Sequence, residues 1–227
     1  MIRRPWQHTV LAQLLLPLLL VACASQPPPP DWQAEASAAL EMASSAYLRG
    51  DGRAAQLDLD RARAALSSTG RAEQLAHAEL MHCALQVASL ALTPCSGFER
   101  LRPDVPAGQQ AYADYLAGRL GAERAGLLPT AQQAAARAGD ADTALAAVRQ
   151  IDDPLSRLVA AGVLLQTGRA NPALITLAVA TASAQGWRRP LLAWLGLQLQ
   201  RAEAAGDDAA AAQLRRRIGW IVEPAGR

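Results

Sequence analysis

The side chains of this chain best suited to chemistry are Cys23, Cys83 and Cys95, the stretch His77-Ala-Glu79-Leu-Met-His82-Cys83, the pair Asp152-Asp153, and Trp187-Arg188-Arg189 with Trp194 nearby. Two imidazoles binding one zinc from a helix must stand four residues apart, with glutamate directly after the first. His77 and His82 are five apart, which turns them about 140° away from each other on a helix, and Ala78 follows His77. No metal site is expected there. Gly50-Asp-Gly-Arg-Ala-Ala55 matches a dinucleotide-binding fingerprint on paper, but that motif must follow a strand to aim its amides at a pyrophosphate. Here a helical pattern precedes it, so the segment reads as an interhelical turn. Asp152-Asp153 stands directly before Pro154, where a carboxylate caps the next helix and meets the positive end of its dipole. No serine lies in G-x-S-x-G, and no nucleophile and base stand together, so the chain reads as non-catalytic.

The first 22 residues contain no acid and carry Arg3 and Arg4 ahead of an apolar run from Val10 to Ala22. That run is about 13 residues long, against about 20 for a helix that crosses a bilayer. It has the charged n-region and apolar h-region of an export signal. Leu20-Val21-Ala22-Cys23 closes it and resembles the lipobox of bacterial lipoproteins. The resemblance implies cleavage before Cys23, covalent diacylglycerol and N-acyl lipid on that cysteine, and no other cofactor. Ala24 in place of aspartate points, as in enterobacterial lipoproteins, to the periplasmic face of the outer membrane. Ordinary secretory cleavage before Ser25 is the competing reading, since Ala22 and Ala24 also satisfy the small-x-small rule. Residues 23–31 then form a short linker whose Pro27 to Pro30 run is extended at about 3.1 Å per residue.

Arg3 and Arg4 account for the whole excess of 22 basic over 20 acidic residues, so the mature chain from Cys23 to Arg227 is formally neutral. A nucleic-acid partner would call for a basic face and is not expected. With Cys23 acylated, Cys83 and Cys95 remain as an even pair in an oxidising compartment. A bridge between them would close a loop worth about 3 kcal/mol of chain entropy; two buried free thiols are the alternative.

Alanine dominates the chain and aromatic residues make up only 4% of it, which favours helix over strand. Helices are expected at 32–49, 53–66, 71–92, 108–124, 129–138, 141–151, 154–167, 171–185, 190–205 and 208–222, with an irregular stretch between Cys95 and Pro106. Gly50, Gly139, Gly168 and Gly206 are placed to end helices in a left-handed cap. Aligned on those glycines, Ala55, Ala144, Ala173 and Ala211 recur five residues on, followed by Leu59, Val148, Leu177 and Arg215. This resembles a degenerate tetratricopeptide repeat, best at 42–66 and 157–184. It implies an all-α superhelix of about ten helices that binds a protein or peptide partner along its concave face. Closed helical hairpins in a bundle are the alternative architecture.

Tryptophan and arginine are enriched at binding hot spots, which makes Trp187, Arg188, Arg189 and Trp194 the candidate partner-binding residues. The competing reading puts Trp194 in the core and Trp220 over the end of the array. The sequence thus reads as a lipid-anchored scaffold for envelope, secretion or pilus assembly. An enzyme or small-ligand binder with an interhelical pocket, and a purely structural envelope lipoprotein, are the alternatives.

Overall fold

The computed structural model describes residues 30–223. The leader, Cys23 and most of the linker lie outside the described residues. Asp31–Arg227 forms a compact unit of its own, and its described part is all-α. Its helices are α1 (Asp31–Arg49), α2 (Gly52–Ser67), α3 (Ala72–Ala88), α4 (Ser96–Glu99), α5 (Ala107–Leu116), α6 (Thr130–Arg137), α7 (Ala141–Arg149), α8 (Pro154–Gln166), α9 (Pro172–Ala184), α10 (Arg188–Ala204) and α11 (Asp208–Val222), with 3₁₀ turns at Arg102–Asp104 and Ala122–Leu127. None of the described helices is long and apolar enough to cross a membrane.

Four hairpins, α1–α2, α6–α7, α8–α9 and α10–α11, are built in the same way. The second helix of each starts at an Asp or Asn whose side chain accepts from the backbone of the first turn: Asp51 from Ala54, Asp140 from Asp142 and Thr143, Asn171 from Leu174, and Asp207 from Ala210. Each cap satisfies donors that a helix start leaves orphaned and contributes about 1 kcal/mol. Pro154 and Pro172 occupy first helical positions, where a missing N–H costs nothing.

α3 is the axis of the unit. It packs against its neighbours α1, α2 and α5 and also against α8, far along the chain, while α10 returns to α1. These two long-range contacts are more than a stack of repeats touching only their neighbours would make. The approach of α8 to α3 depends on Gly162. A Cβ there would stand 2.5 Å from the Val87 carbonyl oxygen, so only glycine lets the two backbones meet without displacement. Trp194 of α10 is fully buried, and its indole N–H donates to the Ala88 carbonyl at 3.0 Å, covering the end of α3.

Several sequence expectations need correction. The helix expected at 71–92 stops at Ala88, because Leu90 turns left-handed (φ 57°) and the Leu90 and Ala91 amides bond back to Val87 and Gln86. This is a glycine-type helix stop made by leucine, at a cost of about 1 kcal/mol. The helix expected at 108–124 breaks at Gly118 (φ 67°) into α5 and a 3₁₀ turn. Asp114 holds the break together by pairing with Arg102, Arg119 and Arg124 at 3.1 to 3.5 Å. Gly50, Gly168 and Gly206 do take left-handed conformations, but Gly139 does not; Ala138 ends α6 in an extended conformation instead. Trp220 covers nothing: it is 73% exposed on α11.

Candidate functional site

The residues singled out in sequence fall into two structural groups. Cys83 and Cys95 are bridged, with Cα atoms 5.8 Å apart. The bridge holds the loop before α4 against α3, where Glu79 is almost wholly buried and accepts both arms of Arg63 at 2.7 and 2.8 Å. Gly97 lies so close to that carboxylate that any side chain there would displace it. His82 of the rejected metal motif is half-buried, packing edge-on against Tyr47 with ring centroids 5.8 Å apart. Burial, with help from Arg63, lowers its pKa against the opposing pull of Glu79. Among the described residues no three His, Cys, Asp or Glu side chains gather as metal ligands.

Trp187, Arg188, Arg189 and Trp194 do not form one exposed face. Arg189 donates to the Tyr47 carbonyl at 2.8 Å and lies 4.3 Å over the Tyr47 ring, so it ties α10 to the first hairpin. Trp194 is core, Trp187 is half-buried against it, and Arg188 alone is exposed. The sequence cluster is the seam that joins the two ends of the unit.

The concave site lies elsewhere, and sequence reasoning missed it. A cleft of about 590 Å³ opens between α3, α5, the 3₁₀ turn at Ala122–Leu127 and the start of α8. Its walls are apolar, with Leu80 and Ala84 from α3, Leu128 after the 3₁₀ turn and Val159 from α8. Five polar side chains also line it: Glu73, His77, Gln109, Tyr112 and Ser156. α3 brings Glu73, His77, Leu80, Met81 and Ala84 to one side because they recur at helical spacing. Gln109 of α5 fixes the crossing by donating to the Glu73 carbonyl at 3.0 Å.

The contrast between two tyrosines on α5 defines the chemistry. Tyr115 is buried and donates to Gln132 at 2.8 Å; Gln132 in turn donates to the Ser156 carbonyl at 3.0 Å, so the wall behind the cleft is rigid and satisfied. Tyr112, stacked on Tyr115 at 6.1 Å, has no hydrogen-bond partner among the described residues. Burial, reinforced by Asp153, pushes its phenol up to about 12, so at neutral pH it is a neutral hydrogen-bonding group and not a base. The side-chain polar atoms of Glu73, His77 and Ser156 likewise make no hydrogen bond among the described residues. A mostly apolar hollow of this size with a few convergent unspent polar groups is the usual form of a ligand site. A second hollow of about 330 Å³, between Trp32 and Leu40 of α1 and Gln74 of α3, shares His77 with the first.

No family model matches the chain, and neither a curated protein nor a solved structure does.

Proposed function

We propose that this chain is a bacterial lipoprotein, acylated at Cys23 on the periplasmic face of the outer membrane, whose helical body is a non-catalytic binding module working through the cleft beside α3. The observation that carries the reading is the cleft itself: an apolar hollow of about 590 Å³ with four unspent polar side chains. Leu20-Val21-Ala22-Cys23 supports the anchor, and a formally neutral mature chain without lysine supports a client that is not nucleic acid. The four capped hairpins support a degenerate repeat architecture.

Two client classes fit, and the geometry favours the first. A small ligand would sit in the cleft alone. A protein partner, as in an adaptor for envelope or pilus assembly, would need more surface, and the hollow between Trp32 and His77 supplies some by extending the cleft toward α1. The test combines the mass of the mature N-terminus with recovery of bound material from the native host, comparing wild type, Cys23→Ser and Leu127→Glu. Leu127 lines the cleft and is 45% exposed, so a charge there obstructs binding without unfolding the body. A triacylated Cys23 and a client lost in Leu127→Glu are the expected results. An unmodified start at Ser25 removes the anchor, and a client retained in Leu127→Glu removes the cleft.

A further inference from the structure

We propose that the cleft holds one unbranched aliphatic chain of an amphiphile, with its tail along Leu80, Met81, Ala84 and Val159 and its head at Glu73 and His77. The proposal rests on the reading of the cleft as the binding site. From Glu73 to Ala84 the wall supplied by α3 runs about 16 Å at 1.5 Å per residue, and its polar residues lie at one end while its apolar residues lie at the other.

Space and hydrogen bonding select the occupant. A peptide helix, 10 to 12 Å across, could lie only over the mouth of a hollow of about 590 Å³. An extended peptide would fit in width, but about five residues at 3.3 Å each bring about ten backbone groups, every one of which needs a partner. Glu73, His77, Tyr112, Ser156 and the buried, unpartnered Oε1 of Gln109 can serve only some of them, since the Gln109 amide nitrogen already donates to the Glu73 carbonyl. Each group left unpaired costs about 1–3 kcal/mol. An alkyl chain brings no such groups and gains about 0.8 kcal/mol for every methylene buried. Met81, unbranched and flexible, suits a wall that must follow such a chain.

Charge narrows the head group. Among the described residues no arginine lines the cleft, and Glu73 is the one carboxylate in its lining. An anionic head would meet a like charge at the rim, whereas a hydroxyl or amine can donate to Glu73.

The test is titration of the full mature protein with a polyene fatty alcohol that fluoresces in apolar surroundings. The expected result is saturable one-to-one binding, displaced by dodecanol but not by an apolar pentapeptide, and weakened at least tenfold in Leu127→Glu and in Met81→Trp, both checked for folding by circular dichroism. Glu73→Gln should keep the alcohol and narrow the preference for it over the matching fatty acid. Acylated and Cys23→Ser protein are compared side by side. Equal binding by the two forms supports a free amphiphile; binding confined to Cys23→Ser overturns it, because an acyl chain on Cys23 brings no hydroxyl or amine head to Glu73. Displacement by the pentapeptide, or no saturable alkyl binding in either form, overturns the aliphatic assignment and leaves the cleft standing. Equal affinity in wild type, Leu127→Glu and Met81→Trp overturns the cleft as well.

Discussion

The two ends of α3 belong to one helix and do opposite things. At its C-terminal end Gly162 presses against the Val87 carbonyl, Trp194 donates to the Ala88 carbonyl, and Leu90 is held left-handed. There the backbone groups are matched and the packing leaves no room for a Cβ. At its N-terminal end Glu73 and His77 stand exposed over an open hollow with no partner among the described residues. A chain that packs one end of a helix tightly and leaves the other open has separated stability from recognition along that helix. Substitutions at the crowded end should therefore unfold the protein, and substitutions at the open end should change only what it binds.

The largest expected effect is that of Trp194→Ala, which empties a fully buried site and uncovers the Ala88 carbonyl; urea unfolding should show a loss of about 3–5 kcal/mol. Replacing both Cys83 and Cys95 by alanine should cost about 3 kcal/mol by releasing the loop, and reduction of the wild type should reproduce that loss. Gly162→Ala should cost about 1–3 kcal/mol, since the new methyl group meets backbone and not a movable side chain. A smaller effect is tied to pH. The pKa of His82 is lowered in the fold from its ordinary 6.5, so below about pH 6.5 the unfolded chain binds the extra proton and the folded one resists it. Stability is thus complete above 6.5 and falls on acidification toward the folded value; His82→Phe should flatten that slope in thermal melts across pH 5 to 8. Smallest of all, Glu73→Gln and His77→Asn should stay within about 0.5 kcal/mol of wild type. A loss of 2 kcal/mol at either position would erase the distinction between the two ends.

How far the sequence reveals this arrangement depends on how local each signal is. The disulfide pair, the Asp153 cap and the bounds of α11 were readable because the residues that decide them are neighbours in the chain. The repeat register was readable only in part. Aligned on glycine, Ala173 and Leu177 should point inward, yet Ala173 is exposed; the turn after Gly168 is longer, and α9 begins later than its counterparts. Aligned on the capping Asp or Asn, the fourth residue on is buried in all four hairpins: Ala55, Ala144, Ile175 and Ala211. The cap fixes where the helix starts, and the start fixes which face turns inward, so the cap is the better ruler. The stop at Leu90 left no trace in sequence, because leucine is left-handed there only under the grip of α8 and α10. The cleft was hidden for a similar reason. The stripe Glu73, His77, Met81 and Ala84 is visible on a helical wheel, but the walls opposite come from α5 and α8, which only the fold brings near. Tryptophan and arginine make 187–194 conspicuous in sequence, but only the fold separates their roles: Arg189 ties α10 to α1, Trp194 closes on α3 and Arg188 is exposed.

The central claim is that recognition belongs to the open end of α3. Its most direct measurement is photocrosslinking in the native host from a photoreactive residue placed at His77, compared with one at Leu57, an exposed position on α2 away from the cleft. The account predicts a discrete adduct from position 77 that vanishes when Leu127→Glu is added, and none from position 57. Matching adducts from both positions, or an adduct at 77 indifferent to Leu127→Glu, would contradict it.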